Sequence, residues 1–293
     1  MHLETLKTFC DLVETKSLSR AAKLNHVTQS AVSQQLRALE ARYKRKLIDR
    51  APRIGARPTE AGTVLYAEVK PLLERFSEVE RRLLEGPNAV AGSVRVATVY
   101  SVGLHTLPPA MKKSLSLHPG VNLRLEYRRT DLVYDACLAG EVDFGIVALP
   151  KRRRELEIVP LGEDELWLVT APDHALARRK KVTLADLDGS PFVGFDRDIP
   201  TRRLVDRILR GKASVSYVME LDNIETIKRS VEAGLGVSIL PAPALAAEVR
   251  AGTLAARRFT GPPLKRSFGA IYRRTRELST AARTFLELLK AEL

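Results

Sequence analysis

The stretch LSRAAKLNHVTQSAVSQQLRALEARYKRKL, residues 18–47, decides the interpretation of the whole chain. It reads as two short helices joined by a tight turn. The small pair Ala21-Ala22 allows another helix to pack closely on the first helix. Asn25-His26 interrupts the helical run, because Asn tolerates a left-handed backbone at a helix end. Thr28 is placed to cap the second helix, since its hydroxyl can accept a hydrogen bond from a first-turn amide.

The second helix has two different faces. Its apolar face repeats at spacings of four, three and four through Val32, Leu36, Leu39 and Tyr43. The other face has no acid before Glu40 and carries hydroxyls, amides and one arginine: Gln29, Ser30, Ser33, Gln34 and Arg37. Such groups can bond base edges and phosphates when a helix lies in a major groove. We therefore expect Thr28 and this face to contact DNA, with an ordinary polar surface helix as the alternative.

Residues 18–40 resemble the helix-turn-helix of the LysR-type transcriptional regulators. The resemblance continues through 47–50 (LIDR) and 58–62 (PTEAG), which are similar to that family's wing and the start of its linker helix. It implies a winged helix-turn-helix domain at 1–58 and a linker or dimerisation helix at 59–86. Residues 43–46 (YKRK) depart from the pattern, because the family more often has a short turn containing Gly there.

The charge of the chain indicates a polyanionic partner for its N-terminal part. The net charge is +13 and the pI is near 9.9. Residues 1–60 hold 12 Lys/Arg and 6 Asp/Glu, which is an excess of +6. A concentrated basic excess favours contact with phosphates. Later basic runs such as 178–181 (RRKK) are interpreted as solvated surface.

A chain of 293 residues predicts about two domains. No apolar run approaches the roughly 20 residues of a membrane span. The acids Glu4, Asp11 and Glu14 make the N-terminus unlike a signal peptide. Cys10 and Cys137 are isolated in apolar surroundings, which indicates buried thiols in a reducing compartment. We therefore expect a cytoplasmic protein with no membrane partner.

A basic wing is predicted after the second helix. Residues 50–57 are rich in Arg and Pro and contain no acid. In a wing, Arg50, Arg53 and Arg57 would lie against phosphates or enter a minor groove. A flexible basic loop is the alternative.

A long helix follows, with Thr59 as its cap and Gly86-Pro87 as its end. Pro71 lies inside it, where a kink is expected because proline removes a backbone hydrogen bond. A heptad pattern in this helix predicts a dimerisation contact through Leu65, Val69, Leu72, Phe76, Val79 and Leu83. Packing of the helix on its own domain is the alternative.

Strands and helices alternate beyond a turn-rich hinge at 87–93 (PNAVAGS), which predicts parallel sheets covered by helices. Strands are predicted at 94–97, 123–127, 144–148, 165–170, 214–219, 237–240 and 268–272, and helices at 107–117, 132–139, 201–209, 224–233 and 279–293.

The sequences 140–147 (GEVDFGIV) and 231–241 (VEAGLGVSILP) are similar to the effector-binding domain of the same family, which resembles periplasmic solute-binding proteins. The resemblance implies an effector-binding domain at 94–293. Its lobe I would cover about 94–162 and 268–293, and its lobe II about 163–267. The predicted fold class is α+β multidomain, with an N-terminal winged helix-turn-helix, a long linker helix and a C-terminal two-lobed α/β domain.

A ligand is expected beyond the carboxyl ends of strands and at helix N-termini. Tyr100-Ser101 follows the first strand, Thr130 follows the second, and Thr201-Arg202 opens a helix. Each place offers a hydroxyl beside free amides, which suits a small anion. The family's inducer cleft uses these positions, so the resemblance implies that Ser101, Thr130 and Thr201 contact the effector, and secondarily Arg202. Tyr100 is included in the predicted site because it follows the first strand beside Ser101. N-capping is the alternative for each hydroxyl, and Ala148-Leu149 stands where some relatives have another hydroxyl.

No catalytic or metal site is predicted. The five His are scattered, no nucleophile elbow is present, and Gly234-Leu235-Gly236 precedes a strand instead of opening a helix. We expect a ligand-responsive transcription regulator that needs no cofactor and binds an interrupted inverted repeat in double-stranded DNA. It would act as a homodimer or homotetramer, and would contact RNA polymerase if it is an activator. A transport solute-binding protein and an α/β enzyme are the alternatives.

Overall fold

A computed structural model describes residues 2–51, 55–85 and 90–293. The chain forms two compact units, Met1–Gly92 and Ser93–Leu293. The second unit begins at the end of the segment that the sequence suggests as a hinge. Among the described helices, none combines the length and the hydropathy that crossing a bilayer requires.

The first unit is a winged helix-turn-helix followed by a long helix. Its elements are α1 (Leu3–Thr15), α2 (Leu18–Leu24), α3 (Gln29–Tyr43), β1 (Ile48–Ala51), β2 (Gly55–Pro58) and α4 (Glu60–Glu85). Strands β1 and β2 pair antiparallel, with Ile48 opposite Pro58, and so form the hairpin of the predicted wing.

Side-chain caps define the starts of α2 and α3. The Ser17 hydroxyl accepts a bond from the Arg20 amide, and the Thr28 hydroxyl accepts one from the Ala31 amide. The residue with a left-handed backbone in the turn is His26, with a φ of 53°, and not Asn25 as expected. The Asn25 side chain instead donates to Asp11 at 2.8 Å and to the Ala21 carbonyl at 2.9 Å. Asn25 therefore ties the turn to α1.

One core joins α1 to α3, the hairpin and the start of α4. It contains Cys10, Val32, Leu36 and Leu39 as expected, together with Phe9 and Leu12 of α1. Tyr43, the last residue of the predicted apolar face of α3, is exposed instead.

Helix α4 begins against the wing. The Thr59 hydroxyl accepts a bond from the Gly62 amide at 3.0 Å and donates to the Lys46 carbonyl at 2.7 Å. A Cβ at Gly62 would lie 2.0 Å from the Leu47 carbonyl oxygen, so only glycine allows this close approach. The helix continues through Pro71 to Glu85, so the proline does not end it.

Lobe I of the second unit contains β3 (Gly92–Thr98), α5 (Tyr100–Gly103), α6 (Pro108–Leu117), β4 (Val121–Tyr127), α7 (Thr130–Ala139) and β5 (Phe144–Ala148). Strands β3 and β5 are parallel, as the alternation of strands and helices predicted. All five residues of β5 are buried, which explains its uninterrupted apolar sequence.

Lobe II contains β6 (Leu156–Thr170), β7 (Pro191–Phe195), α8 (Pro200–Leu209), β8 (Ser216–Leu221), α9 (Ile224–Glu232), β9 (Ser238–Pro241), α10 (Ala246–Ala251) and β10 (Ala255–Arg257). Strands β7 and β8 are parallel, and both β9 and β10 pair with the end of β6. The sequence predicted neither β7 nor β10, and it placed the start of β6 nine residues too late, at Glu165.

The chain returns to lobe I through β11 (Lys265–Arg273) and α11 (Thr280–Glu292). Strand β11 pairs antiparallel with β6 from Lys265 opposite Glu165 to Arg273 opposite Leu156, and it also pairs with β5. Strands β6 and β11 therefore cross side by side from one lobe to the other. They form the floor between the lobes.

Candidate functional site

Helix α3 presents the predicted polar face to solvent. Thr28, Gln29, Ser30, Gln34 and Arg37 are exposed, and Ser33 is half-buried. Val32, Leu36 and Leu39 on the opposite face anchor the helix in the core, so the polar face has a fixed direction.

Neighbouring groups orient several of these side chains. Ser19 of α2 donates to Gln29 Oε1 at 3.1 Å, which leaves the NH₂ group of Gln29 to donate elsewhere. The Thr28 and Ser30 hydroxyls lie 2.8 Å apart. Arg37 Nε donates to the Ser33 carbonyl at 3.3 Å and keeps its terminal nitrogens for other acceptors. The face therefore carries ordered donors of the kind that read base edges.

Of the predicted wing residues, Arg57 is exposed on β2, opposite Asp49. Arg50 lies on β1 opposite Ala56. Arg53 lies outside the described residues, as does the side chain of Arg50.

The predicted dimerisation residues divide into two groups. Val69 is buried and Leu65 half-buried, and both pack against the core of their own domain. This is the packing that the sequence left open as the alternative. The other four lie further along the helix and are exposed: Leu72, Phe76, Val79 and Leu83. Leu72 is 67% and Leu83 is 81% exposed, so the later half of α4 presents an uncovered apolar face.

Four of the five predicted effector residues meet in one cavity between the lobes. Tyr100, Ser101, Thr130 and Thr201 line this inner cavity, whose volume is about 50 Å³. Ser101 is in α5, Thr130 begins α7, and Thr201 is the second residue of α8. The caps of these helices are Val99, Arg129 and Ile199, none of which makes a side-chain cap bond. The three hydroxyls are therefore not used for N-capping.

Arg202 does not line the inner cavity and holds lobe II together instead. Its side chain is buried and bonds Asp206, Glu220 and the Phe195 carbonyl. Its guanidinium carbon lies 3.4 Å from the centre of the Tyr217 ring. Burial lowers the pKa of Arg202, but the bonds to Asp206 and Glu220 outweigh it and leave the pKa raised. The prediction that Arg202 contacts the ligand was wrong. It rested on the position of Arg202 at a helix start, and the sequence does not show in which direction the side chain points.

The residue that sequence reasoning missed is Arg266 of β11. It is fully buried, forms an ion pair with Asp164 of β6, and donates to Ser101 Oγ at 3.0 Å and Thr201 Oγ1 at 3.3 Å. Its Nε is also buried and has no partner within the described residues. The alternation along β11 could have indicated that Arg266 is buried, because Arg266 lies on the same face of the strand as the buried residues Phe268 and Ala270.

Arg266 determines what the two hydroxyls can offer a ligand. A guanidinium has only donors, so Ser101 Oγ and Thr201 Oγ1 must accept from it. Each hydroxyl proton then remains available for an acceptor in the cavity. Since Ser101 belongs to lobe I and Thr201 to lobe II, the arrangement also bridges the two lobes.

Ion pairs between the lobes lie beside the inner cavity. Arg129 of lobe I bonds Asp196 at 3.0 Å and Asp198 at 2.7 Å in lobe II. The bonds from Arg129 hold the pKa of Asp198 below its usual range. His105 of lobe I contacts Glu225 of lobe II at 2.7 Å. These pairs hold the lobes together around the cavity.

Neither thiol is placed for chemistry. Cys10 and Cys137 are free and buried, and burial raises the pKa of each to about 12. The described residues contain no group of three or more His, Cys, Asp and Glu side chains that could hold a metal ion.

Comparison with known proteins identifies both units. Residues 3–63 match the model for "Bacterial regulatory helix-turn-helix protein, lysR family", and residues 87–293 match that for "LysR substrate binding domain". The transcriptional regulator YeiE of Escherichia coli K12 is 32% identical over 288 residues, covering 97% of this chain and 96% of the relative. The transcriptional regulator CysL of Bacillus subtilis is 25% identical over 292 residues, covering 99% and 97%.

Two solved full-length structures share the fold. A full-length OxyR variant from Pseudomonas aeruginosa has a TM-score of 0.73 and 24% identity, over 100% of this chain and 94% of that one. CbnR bound to its target DNA has a TM-score of 0.68 and 22% identity, over the whole of both chains. The two family matches together span helix α3 and the interlobe cavity. The chain belongs to the LysR family of DNA-binding transcriptional regulators.

Proposed function

We propose that this regulator responds to a small anionic metabolite held between lobe I and lobe II. The single observation that carries the proposal is the bridge from Arg266 to Ser101 and Thr201. It leaves two hydroxyl protons, one from each lobe, free to donate into the inner cavity. An anion would accept both protons, whereas a cation would accept neither.

The helices around the inner cavity favour the same charge. Thr130 begins α7 and Thr201 lies in the first turn of α8, and each helix is ten residues long. Helix N-termini carry free amides and a partial positive charge of about half an electron. Both helix ends therefore add to the attraction for an anion at the hydroxyls.

On the DNA side, Gln29, Ser33, Gln34 and Arg37 would read base edges, while Thr28, Ser30 and the wing arginines Arg50, Arg53 and Arg57 would bond phosphates or the minor groove. One such helix reads only a half-site. The exposed face formed by Leu72, Phe76, Val79 and Leu83 would pair two copies, so that the dimer matches an interrupted inverted repeat.

The two activities would be coupled by linkage. An anion changes DNA binding only if its affinity differs between two arrangements of the oligomer. The interlobe contacts of Arg129, His105 and Arg266 would differ between those arrangements, because each joins one lobe to the other.

A thermal-shift comparison tests the anion proposal. The full chain would be heated with sulfate, acetate and butyrate, and with the neutral amides acetamide and butyramide as controls. A ligand that binds only the folded state stabilises it by RT ln(1 + L/Kd), where L is the ligand concentration, and so raises Tm as that concentration rises. Acetate or butyrate should raise Tm while its matched amide does not. A shift with sulfate alone does not count, because sulfate stabilises proteins generally by exclusion from their surface. Equal shifts with anions and amides would refute selection by charge.

A further inference from the structure

A second cavity lies directly beside the inner cavity. This outer cavity has a volume of about 130 Å³, compared with about 50 Å³ for the inner one. Arg129, Thr130, Ile199 and Pro200 line both cavities, so one wall of side chains separates them. The space between the lobes therefore consists of two compartments, of which only the inner one holds the predicted hydroxyls Ser101 and Thr201.

The outer cavity is lined by cations from both lobes. Lys151 and Arg153 come from the loop after β5, and Arg203 comes from α8. Arg203 donates to the Asp198 carbonyl, and the Arg153 guanidinium lies 4.4 Å from the centre of the Tyr134 ring. Neither contact neutralises a positive charge, since one partner is a carbonyl and the other a ring.

The acids of the outer cavity do not balance these cations. Asp198 is already bonded through both carboxylate oxygens to Arg129, and these bonds, with a smaller attraction from Arg203, lower the pKa of Asp198. Asp131 is the other acid in the lining, and it is exposed. Three cations thus face one acid without a cationic partner among the described residues.

The loop that supplies Lys151 and Arg153 is held in place. The Lys151 amide donates to the Tyr134 hydroxyl at 2.6 Å, and the Leu149 amide donates to the Ser267 carbonyl at 2.8 Å. Leu149 lines the cavity with a φ of 52°, a left-handed backbone conformation that is unfavourable for an L-residue. Such strain is retained where the surrounding structure needs it, most often at binding sites.

We propose that the outer cavity binds a second anionic group of the same effector. The effector would be an elongated dianion, with one anionic group at Ser101, Thr130 and Thr201 and the other at Lys151, Arg153 and Arg203. The second group would be a carboxylate or a phosphate, because either accepts charge-assisted bonds from lysine and arginine. This inference rests on the proposed function, since it extends the anion site of the inner cavity.

Calorimetric titration of the full chain tests the inference with ligand pairs of matched length. Butyrate and hexanoate would be compared with succinate, adipate and 3-phosphonopropionate. At least one dianion should bind about tenfold or more tightly than its monoanionic match, which is the gain expected from one additional charge-assisted bond. Succinate against 3-phosphonopropionate then distinguishes a carboxylate from a phosphate-like second group.

The double variant Lys151→Ala and Arg153→Ala should remove that difference and leave monoanion binding unchanged. The matched control is Arg152→Ala with Arg154→Ala, which removes the same charge from exposed residues outside the cavity lining. All four side chains are exposed, so folding should be unaffected. The control should keep the full preference for dianions.

The outcomes separate this inference from the proposed function. If matched monoanions and dianions bind wild type equally, the outer site is refuted while the anion site of the inner cavity stands. If the preference for dianions survives in the Lys151 and Arg153 variant, the outer site is also refuted. If no anion of either kind binds, both the outer site and the proposed function are refuted.

Discussion

The guanidinium of Arg266 donates to the Ser101 hydroxyl at 3.0 Å from beneath the interlobe cavity. Arg266 belongs to a strand that crosses between the lobes, and Ser101 lies in α5, the short helix that follows the first strand of lobe I. The bond fixes which atom of Ser101 is the acceptor and therefore makes its proton available to a ligand. The buried charge of Arg266 thus determines that the Ser101 hydroxyl acts as a hydrogen-bond donor toward the cavity.

Breaking the Arg266–Asp164 pair should cost much of the stability of the unit Ser93–Leu293. Asp164→Ala leaves a fully buried guanidinium without its carboxylate, which typically costs about 3–5 kcal/mol. The double variant Asp164→Leu with Arg266→Met replaces both charges by apolar groups and should recover most of that loss. Urea unfolding of the single and double variants measures the difference.

The same double variant should lose its thermal stabilisation by anions, because Ser101 and Thr201 no longer have their donor. If the double variant is as unstable as the single one, the pair contributes more than compensation of a buried charge. If it keeps the anion response of wild type, Arg266 does not orient the hydroxyls.

Thr201→Val should abolish the response to an anionic effector and leave DNA binding unchanged. Valine matches threonine in shape, so the loss is limited to the hydroxyl that Arg266 bonds at 3.3 Å. Thr260→Val is the control, since Thr260 is an exposed threonine outside both cavity linings. Anion titrations by thermal shift measure the response, and a normal response in Thr201→Val removes this residue from the site.

Arg37→Ala should weaken binding to the operator by about 1–3 kcal/mol, roughly fivefold to 150-fold, if Arg37 bonds a base edge. Gln29→Ala should behave similarly because its NH₂ group is free to donate. Arg124→Ala is the charge-matched control, an exposed arginine on β4 in the other unit. Gel-shift titrations measure the operator affinity of all three variants. Unchanged affinity in Arg37→Ala excludes that residue as a contact.

Phe76→Glu should dissociate the oligomer. Phe76 lies in the exposed apolar face of α4, and a charge there would be buried if two helices pair. Ser77→Glu, one exposed position further along the helix, is the control. Sedimentation velocity should show a smaller species only for Phe76→Glu. A parental sedimentation coefficient in that variant contradicts pairing through this face.

The DNA-reading unit was predictable because its signals are local. Helical spacing placed Val32, Leu36 and Leu39 in the core, and the Thr28 cap set the start of α3. The error in the turn came from a polar side chain that can form hydrogen bonds with more than one partner. Asn25 bonds Asp11, fourteen residues earlier in the chain, and the residue with the left-handed backbone is His26.

The cavity was predictable only in part, because some of its contacts join residues that are far apart in the sequence. Strand ends and helix starts placed Ser101, Thr130 and Thr201 at one site. The pairing of Arg266 with Asp164 joins strands about a hundred residues apart, and the turn of Arg202 toward Glu220 depends on a third strand. Such contacts depend on tertiary packing, which spacing along the chain does not encode.

The central claim is that α3 reads bases, and repeated selection from a random duplex library with the purified full chain tests it most directly. Specific DNA-binding proteins prefer their sites over random duplex by about 10³ or more. The account predicts enrichment of an interrupted inverted repeat, bound with at least that preference near physiological salt, and a smaller preference in Arg37→Ala. If no sequence is enriched and all duplexes bind equally at every salt concentration, α3 does not read bases and the regulatory account is contradicted.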